Sequence, residues 1–316
     1  MGVLATIGDG RVTRDVVARR LRGGKRDASG TAFRAVLLAA LVVTLAVLAV
    51  LLVDVWTGGW SVLSTRFGDF INGTLSSRAN RAGVFQGIRG SFWIAMFTIV
   101  LAFPLGIGAA IYLEEYAPNT RFSRIVDINI RNLAGVPSVV YGILGFAIFV
   151  KALGGFTGGR TVMAAGITLA ILVLPIVIIT SAEAIRAVPD NLREAGFGVG
   201  ATRWEVIRHH VLPYAAPGIL TGTVLSLARA LGEAAPLILV GATTDFLGGG
   251  KGSLVDIGQL TDRFTALPIV ITTWAGRPQV EFRALTSAAI VVLLAVVLLF
   301  NAAAILLRNR YEKKRR

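Results

Sequence analysis

Hydrophobic positions along this chain come in long, nearly uncharged runs separated by shorter polar stretches. That pattern belongs to segments that cross a lipid bilayer rather than to amphipathic elements around a soluble core. Six runs stand out, at residues 35–53, 92–113, 133–150, 162–182, 213–242 and 284–307. Each is long enough to cross a hydrocarbon core of about 30 Å as a helix. A helix satisfies its own backbone hydrogen bonds in lipid, whereas a barrel would need short alternating segments, which the sequence lacks. The expected fold is an all-α membrane protein with six transmembrane helices. Its expected parts are a basic tail (1–34), a first span (35–53), an extracytoplasmic loop (54–91), a core of five spans (92–307) and a basic tail (308–316). A cleaved signal peptide is a poor account of the first run, because its lead is too long and Leu51-Leu52-Val53-Asp54 offers no small-residue cleavage site.

Charge fixes the expected orientation. Only 16% of residues are charged against 54% hydrophobic, below the roughly 25% charged of soluble domains. The net charge of +14 raises nucleic acid as a partner. A nucleic-acid binder, however, would gather its basic residues on a folded face. Here 14 of the 32 Lys and Arg sit in the two tails, eight through Arg34 and six from Arg308 onward. With the N-terminus inside, cytoplasmic segments hold 21 Lys and Arg and outer loops hold 10, so both termini are expected in the cytoplasm. The outer loop 243–283 contains an apolar stretch, 264–275, too short to span and expected to pack on the outer face. Absence of cysteine excludes disulfides, thiolate metal sites and cysteine nucleophiles.

Pro104, Pro137, Pro175 and Pro236 fall inside the second to fifth runs, while the first and last contain none. Proline bends a helix and is tolerated where neighbours repair the lost hydrogen bond. The distribution favours an inner group of spans two to five with straighter flanking helices facing lipid, although proline is also simply commoner in membrane helices.

Residues 183–212, between spans four and five, predict a helix, a glycine break and a second helix. Pro189 suits a helix start, and Asp190 and Glu194 place negative charge where the helix dipole favours it. Gly196, Gly198 and Gly200 disfavour continuation. Thr202-Arg203-Trp204-Glu205 has the form of a capping box that opens the second helix, which is expected to end near Pro213. Such an elbow either links two spans or docks rigidly on a cytoplasmic partner, and residue physics alone leaves both open.

Glu194-Ala195, Gly200-Ala201 and Leu212-Pro213 resemble the coupling signature of ABC importer permeases, with Gly196 in place of the usual second alanine and His210 at a position normally apolar. Further segments resemble the phosphate-specific branch and its A-type permease. They are Tyr112-Leu113-Glu114-Glu115-Tyr116-Ala117, residues 133–142 around Pro137, and residues 228–237 around Arg229 and Glu233. The resemblance runs from about residue 80 to the C-terminus and implies the six-helix fold of a type I importer permease. It implies that the elbow residues Glu194, Ala195, Gly200, Ala201, Thr202, Leu212 and Pro213 couple this chain to an ATPase subunit. It implies a sister permease (C-type), an ATPase dimer, an extracytoplasmic phosphate-binding protein and a place in the bacterial plasma (inner) membrane. No cofactor is expected on this chain, since ATP and Mg would sit on the partner ATPase.

Arg229 and Glu233 lie inside the fifth apolar run. Arg at mid-membrane costs roughly 2.5–3.5 kcal/mol on insertion scales, so such residues face a polar pathway or a partner. Spaced i and i+4, the two share a helix face and can pair. One reading is a structural ion pair; the other is an anion contact, with the Arg fork on phosphate oxygens and Glu233 orienting it. The resemblance adds weight to the anion contact.

Two glycine-rich stretches mimic a phosphate-binding loop. Gly154 to Thr161 has Arg160 where Lys belongs and lies in a short loop between spans, and in residues 248–253 Gly252 follows the Lys. His209 and His210 are adjacent, hence on different helix faces, and read as surface residues rather than metal ligands. The expected function is the permease subunit of an ATP-driven phosphate importer, itself without an ATP site. The alternatives are another oxyanion, such as sulfate or molybdate, and a self-sufficient carrier or channel, which would need more intramembrane carboxylates than Glu233.

Overall fold

The computed structural model describes residues 28–118, 120–244 and 257–313, and no strand occurs among them. The chain divides into two compact units, residues 1–54 and 55–316. In the first, the described residues belong to helix α1 (Ala28–Thr65), whose apolar side chains such as Phe33, Leu37 and Leu41 are exposed. At 38 residues α1 is far longer than the 35–53 run, and roughly 20 residues suffice to cross a bilayer.

The expected loop 54–91 is therefore largely helical. α1 continues to Thr65, a short helix α2 follows (Phe67–Asn72), and the next long helix, α3, starts at Phe85 (Phe85–Ile111). Tertiary packing overrides the low helix propensity of Gly58-Gly59. A Cβ on Gly59 would stand 2.8 Å from the backbone nitrogen of Ala288, so only glycine allows that approach. The Arg66 guanidinium then donates to the carbonyls of Ala79 (2.8 Å) and Ala82 (3.0 Å) and ties down the turn before α3.

α3 ends in a π-helical turn, Tyr112–Tyr116. Next come α4 (Arg121–Ala134) and α5 (Ser138–Gly145), the latter prolonged by a π-helical stretch Phe146–Ala152. α4 and α5 meet at 97°. The third run, 133–150, is thus not one helix: it begins in the last residues of α4, bends at Gly135-Val136-Pro137, and only Ser138–Ala152 continues. Pro137 stands just before α5, where it disfavours a helical conformation for Val136. The hydroxyl of Tyr141 donates to the Leu133 carbonyl at 2.9 Å and closes the bend.

The Gly154–Thr157 turn (α6) leads through Gly158 and Gly159, both at positive φ, to Thr161, whose hydroxyl caps α7 (Val162–Arg186). This first loop mimic is a turn and cap. The second, 248–253, lies outside the described residues. α7 is the centre of its unit: 67% of its apolar window is buried, against 11% for the last helix, α13 (Glu281–Lys313). Small residues let the helices close on it. A Cβ on Gly106 of α3 would lie 2.6 Å from Val177, and one on Gly166 of α7 would lie 2.5 Å from Phe97.

After α7 come α8 (Asp190–Gly198), α9 (Arg203–Val206), a π-helical turn Ile207–Val211, α10 (Leu212–Gly232) and α11 (Ala235–Val240). The fifth run, 213–242, is broken as well, at Glu233-Ala234. α11 packs on α5, with Gly142 facing Pro236. Of the four prolines, Pro104 and Pro175 lie within helices, whereas Pro137 and Pro236 open the segments after the two breaks. The apolar 264–275 stretch forms α12 (Leu267–Ala275), which buries Leu267, Val270 and Trp274 against α13 and α3. The Trp274 ring meets Phe282 edge-on and Phe70 at a tilt there, and Ser91 of α3 accepts the Leu267 N–H at 2.9 Å. Five helices among the described residues can cross a membrane, and a sixth span exists only if the bent α4–α5 pair is counted as one.

Candidate functional site

The elbow forms where the capping chemistry places it. The Glu205 N–H reaches the Thr202 hydroxyl at 3.4 Å, and the Glu205 carboxylate accepts from the Thr202 N–H and hydroxyl, each at 2.8 Å. The backbone donor first, then the hydroxyl, hold the Glu205 carboxyl below its ordinary 4.5. Two details differ from expectation. Helix α8 passes through Gly196 and Gly198, and the break is set by Gly200, the only residue of the three at positive φ (82°). Gly196 is instead a packing residue, since a Cβ there would come within 2.7 Å of the Val206 side chain. That contact accounts for glycine where the resembling family has alanine.

The second arm does not end near Pro213. Arg203–Gly232 is one 30-residue helix. The Leu212 N–H reaches back five residues to the Ile207 carbonyl, a widened turn directly before Pro213, whose ring and missing N–H disturb the regular register. Glu194, Ala195, Gly200, Thr202 and Pro213 are exposed, while Ala201 and Leu212 are half-buried. Phe197, Val199 and Trp204 are exposed too, by 48, 84 and 50%. His209 and His210 are exposed, and His209 Nδ1 lies 3.1 Å from the Glu205 carbonyl. Among the described residues no cluster of metal-ligating side chains occurs.

Sequence reading alone misses what holds the elbow. Three successive residues of the π-helical turn after α3 each engage a different arginine. Glu114 takes Arg186, at the end of α7, on both carboxylate oxygens. Glu115 takes Arg193 of α8 at 2.9 and 3.1 Å. The Tyr116 ring lies 5.3 Å from the guanidinium of Arg203, at the start of α9. Arg193 also donates to the carbonyls of Val188 (2.7 Å) and Ile185 (3.0 Å) and to Asp190 (3.0 Å), so each of its five donors has an acceptor. Glu115 is buried. The signal was present: Glu114 and Glu115 stand at a helix C-terminus, where the dipole disfavours carboxylates unless cations from elsewhere meet them.

Arg229 and Glu233 do come together, at 3.4 Å, but not on one helix face. α10 ends at Gly232, and Glu233 is extended (φ −78°, ψ 119°), its N–H donating to the Ala230 carbonyl. The pair therefore straddles a break in the helix. Arg229 sits in the last turn of α10, where the dipole favours a cation. Its side chain is half-exposed at 51% against 19% for Glu233. Gly218, Thr221, Leu225, Arg229 and Gly232 form one exposed stripe along α10. This arrangement can offer a guanidinium fork to an anion beside a carboxylate that balances it.

Residues 102–316 match the protein family described as binding-protein-dependent transport system inner membrane component. The chain is 32% identical over 203 residues to the probable ABC transporter permease protein YqgI of Bacillus subtilis, covering 63% of this chain and 67% of that one. It is 35% identical over 198 residues to the phosphate transport system permease protein PstA 1 of Mycobacterium tuberculosis, covering 62% and 61%. The chain thus spans between 61 and 67% of the length of these curated relatives. A crystal structure of a bacterial ABC transporter involved in the import of the acidic polysaccharide alginate superimposes with a TM-score of 0.60 at 15% identity, covering 95% of this chain and 99% of that one. That likeness establishes the importer-permease fold.

Proposed function

Because the chain belongs to the family of binding-protein-dependent transport system inner membrane components, we propose that it is the A-type membrane subunit of an ATP-driven importer for inorganic phosphate. It would form half of the pathway beside a sister C-type permease. An ATPase dimer would drive it, and an extracytoplasmic phosphate-binding protein would supply the cargo. The likeness to the phosphate permease of Mycobacterium tuberculosis supports the cargo. The observation that carries the reading is Arg229. Its charge lies in an apolar run, on a stripe that this chain leaves uncovered. Lipid would be an unfavourable neighbour by roughly 2.5–3.5 kcal/mol, so a water-filled path shared with a second subunit is the environment that suits it. Glu233 would orient the guanidinium and balance it when no anion is present.

The elbow supports coupling. Phe197, Val199 and Trp204 are apolar yet exposed at a fixed turn, a shape suited to a groove on an ATPase subunit. Loops 114–132 and 183–212 meet at one end of the bundle through the Glu114, Glu115 and Tyr116 contacts. Their seven arginines, with the basic tails, favour the cytoplasm for that end and for both termini.

The test is phosphate uptake normalised to assembled complex. Arg229→Gln should abolish uptake with assembly intact, and Arg229→Lys should recover little, since a point charge lacks the fork. The double variant Arg229→Gln with Glu233→Gln separates the two readings. If it stays inactive the anion contact stands, and if it regains transport the pair is only structural. Competition by sulfate and molybdate on the wild type then tests the cargo.

A further inference from the structure

Helix α4 has three faces. Ser123, Val126, Asp127 and Ile130 lie on one and are half-buried, on the side where the helix packs against α7. Phe122, Ile125 and Leu133 lie along the next and are exposed by 74, 55 and 47%. Arg121, Arg124 and Arg131 lie on the third, with Ile128, exposed by 49%, between the first two. Arg131 pairs with Asp127 at 3.0 Å and reaches Glu183 of α7 at 4.0 Å. None of the ion pairs among the described residues involves Arg121 or Arg124.

The direction of α4 decides what covers these faces. It meets α5 at 97°, so if α5 runs across the bilayer, α4 lies along its surface. Exposed apolar side chains stand on both sides of the bend, Leu133 on α4 and Val139, Ile143 and Leu144 on α5. Acyl chains suit the apolar face, and phosphate headgroups suit the arginines beside it, as in helices that lie in the membrane interface.

We propose that α4 is an interfacial helix that binds anionic lipid, with Phe122, Ile125 and Leu133 among the acyl chains and Arg121 and Arg124 on headgroup phosphates. The contact is on the elbow side, because Arg131 and Glu183 join α4 to the same end of α7 that Arg186 ties to Glu114. It does not depend on which anion is transported.

A single cysteine has no background in this chain, and Asn129 is exposed on the apolar side of α4. The full chain carrying Asn129→Cys, labelled with a fluorophore, is reconstituted in vesicles of brominated phosphatidylglycerol or brominated phosphatidylcholine mixed with unbrominated lipid. A basic residue near an anionic surface favours binding by a factor of about five. Quenching should therefore show at least a severalfold preference for phosphatidylglycerol. The preference should fall toward one in Arg121→Gln with Arg124→Gln. In the chain with both arginines it should weaken as salt rises, a check that needs no substitution in the basic face. Equal quenching by both lipids, or a preference that survives loss of both arginines, would overturn the headgroup contact. No quenching by either would mean that protein or water covers the apolar face, and would overturn the proposal outright.

Discussion

Arg193 reaches α3, α7 and α8 with one guanidinium, through Glu115, the carbonyls of Ile185 and Val188, and Asp190. The Ile185 carbonyl belongs to the last turn of α7, where helical C=O groups run short of intrahelical partners, and the Val188 carbonyl to the turn just beyond it, so the side chain both caps a helix and closes a buried ion pair. Truncating one member of such a pair strands the other, at a cost of about 3–5 kcal/mol. Arg193→Ala should therefore lower the thermal denaturation midpoint of the detergent-purified protein markedly. Arg193→Lys should recover only part, because three donors on a point charge cannot serve five directions. Glu115→Gln should be milder than Arg193→Ala, since it leaves the carbonyl contacts in place. Equal midpoints for wild type and Arg193→Ala would remove the pair from the stability of the elbow.

Among the elements, the elbow turns on Gly200. Its φ of 82° lies where a Cβ costs about 1–2 kcal/mol, yet no atom within 4 Å would meet that Cβ. Strain, not crowding within this chain, is what a substitution adds. Gly200→Asn, which tolerates that conformation, should keep coupled uptake, and Gly200→Val should lose it while the chain still reaches the membrane. Loss in both, with uptake assayed on equal amounts of complex, would place a tight partner surface over Gly200. Thr202 and Glu205 are legible because a capping box is local, and its two residues settle their own geometry. Gly196 is not, because its reason for being glycine is Val206, ten residues on. The breaks at Pro137 and Glu233 escape a reading by run length, which merges any apolar stretch into one span. The proline beside each break is the sign that such a reading overlooks. Glu115 and Arg193 lie 78 positions apart, and no spacing rule links them.

For the whole molecule, the contacts of Glu114, Glu115 and Tyr116 gather loops 114–132 and 183–212 at one end, which agrees with assigning both to one side by charge. A cysteine at Thr202 should be unreactive to an impermeant thiol reagent applied outside intact cells and reactive in inverted vesicles. Labelling in intact cells would reverse the orientation. The helix that begins beside Thr202 and ends at Gly232 runs unbroken from the elbow to the last turn that carries Arg229. At 1.5 Å per residue, the 25 positions between Trp204 and Arg229 make a lever of roughly 40 Å. A tilt of about 5° at the elbow end would swing the guanidinium by about 3 Å, roughly the length of one hydrogen bond. The extended residue Glu233 separates that lever from α11. On the proposed function, a small rocking of an ATPase subunit docked at Trp204 would be enough to make or break the grip on an anion at the far end.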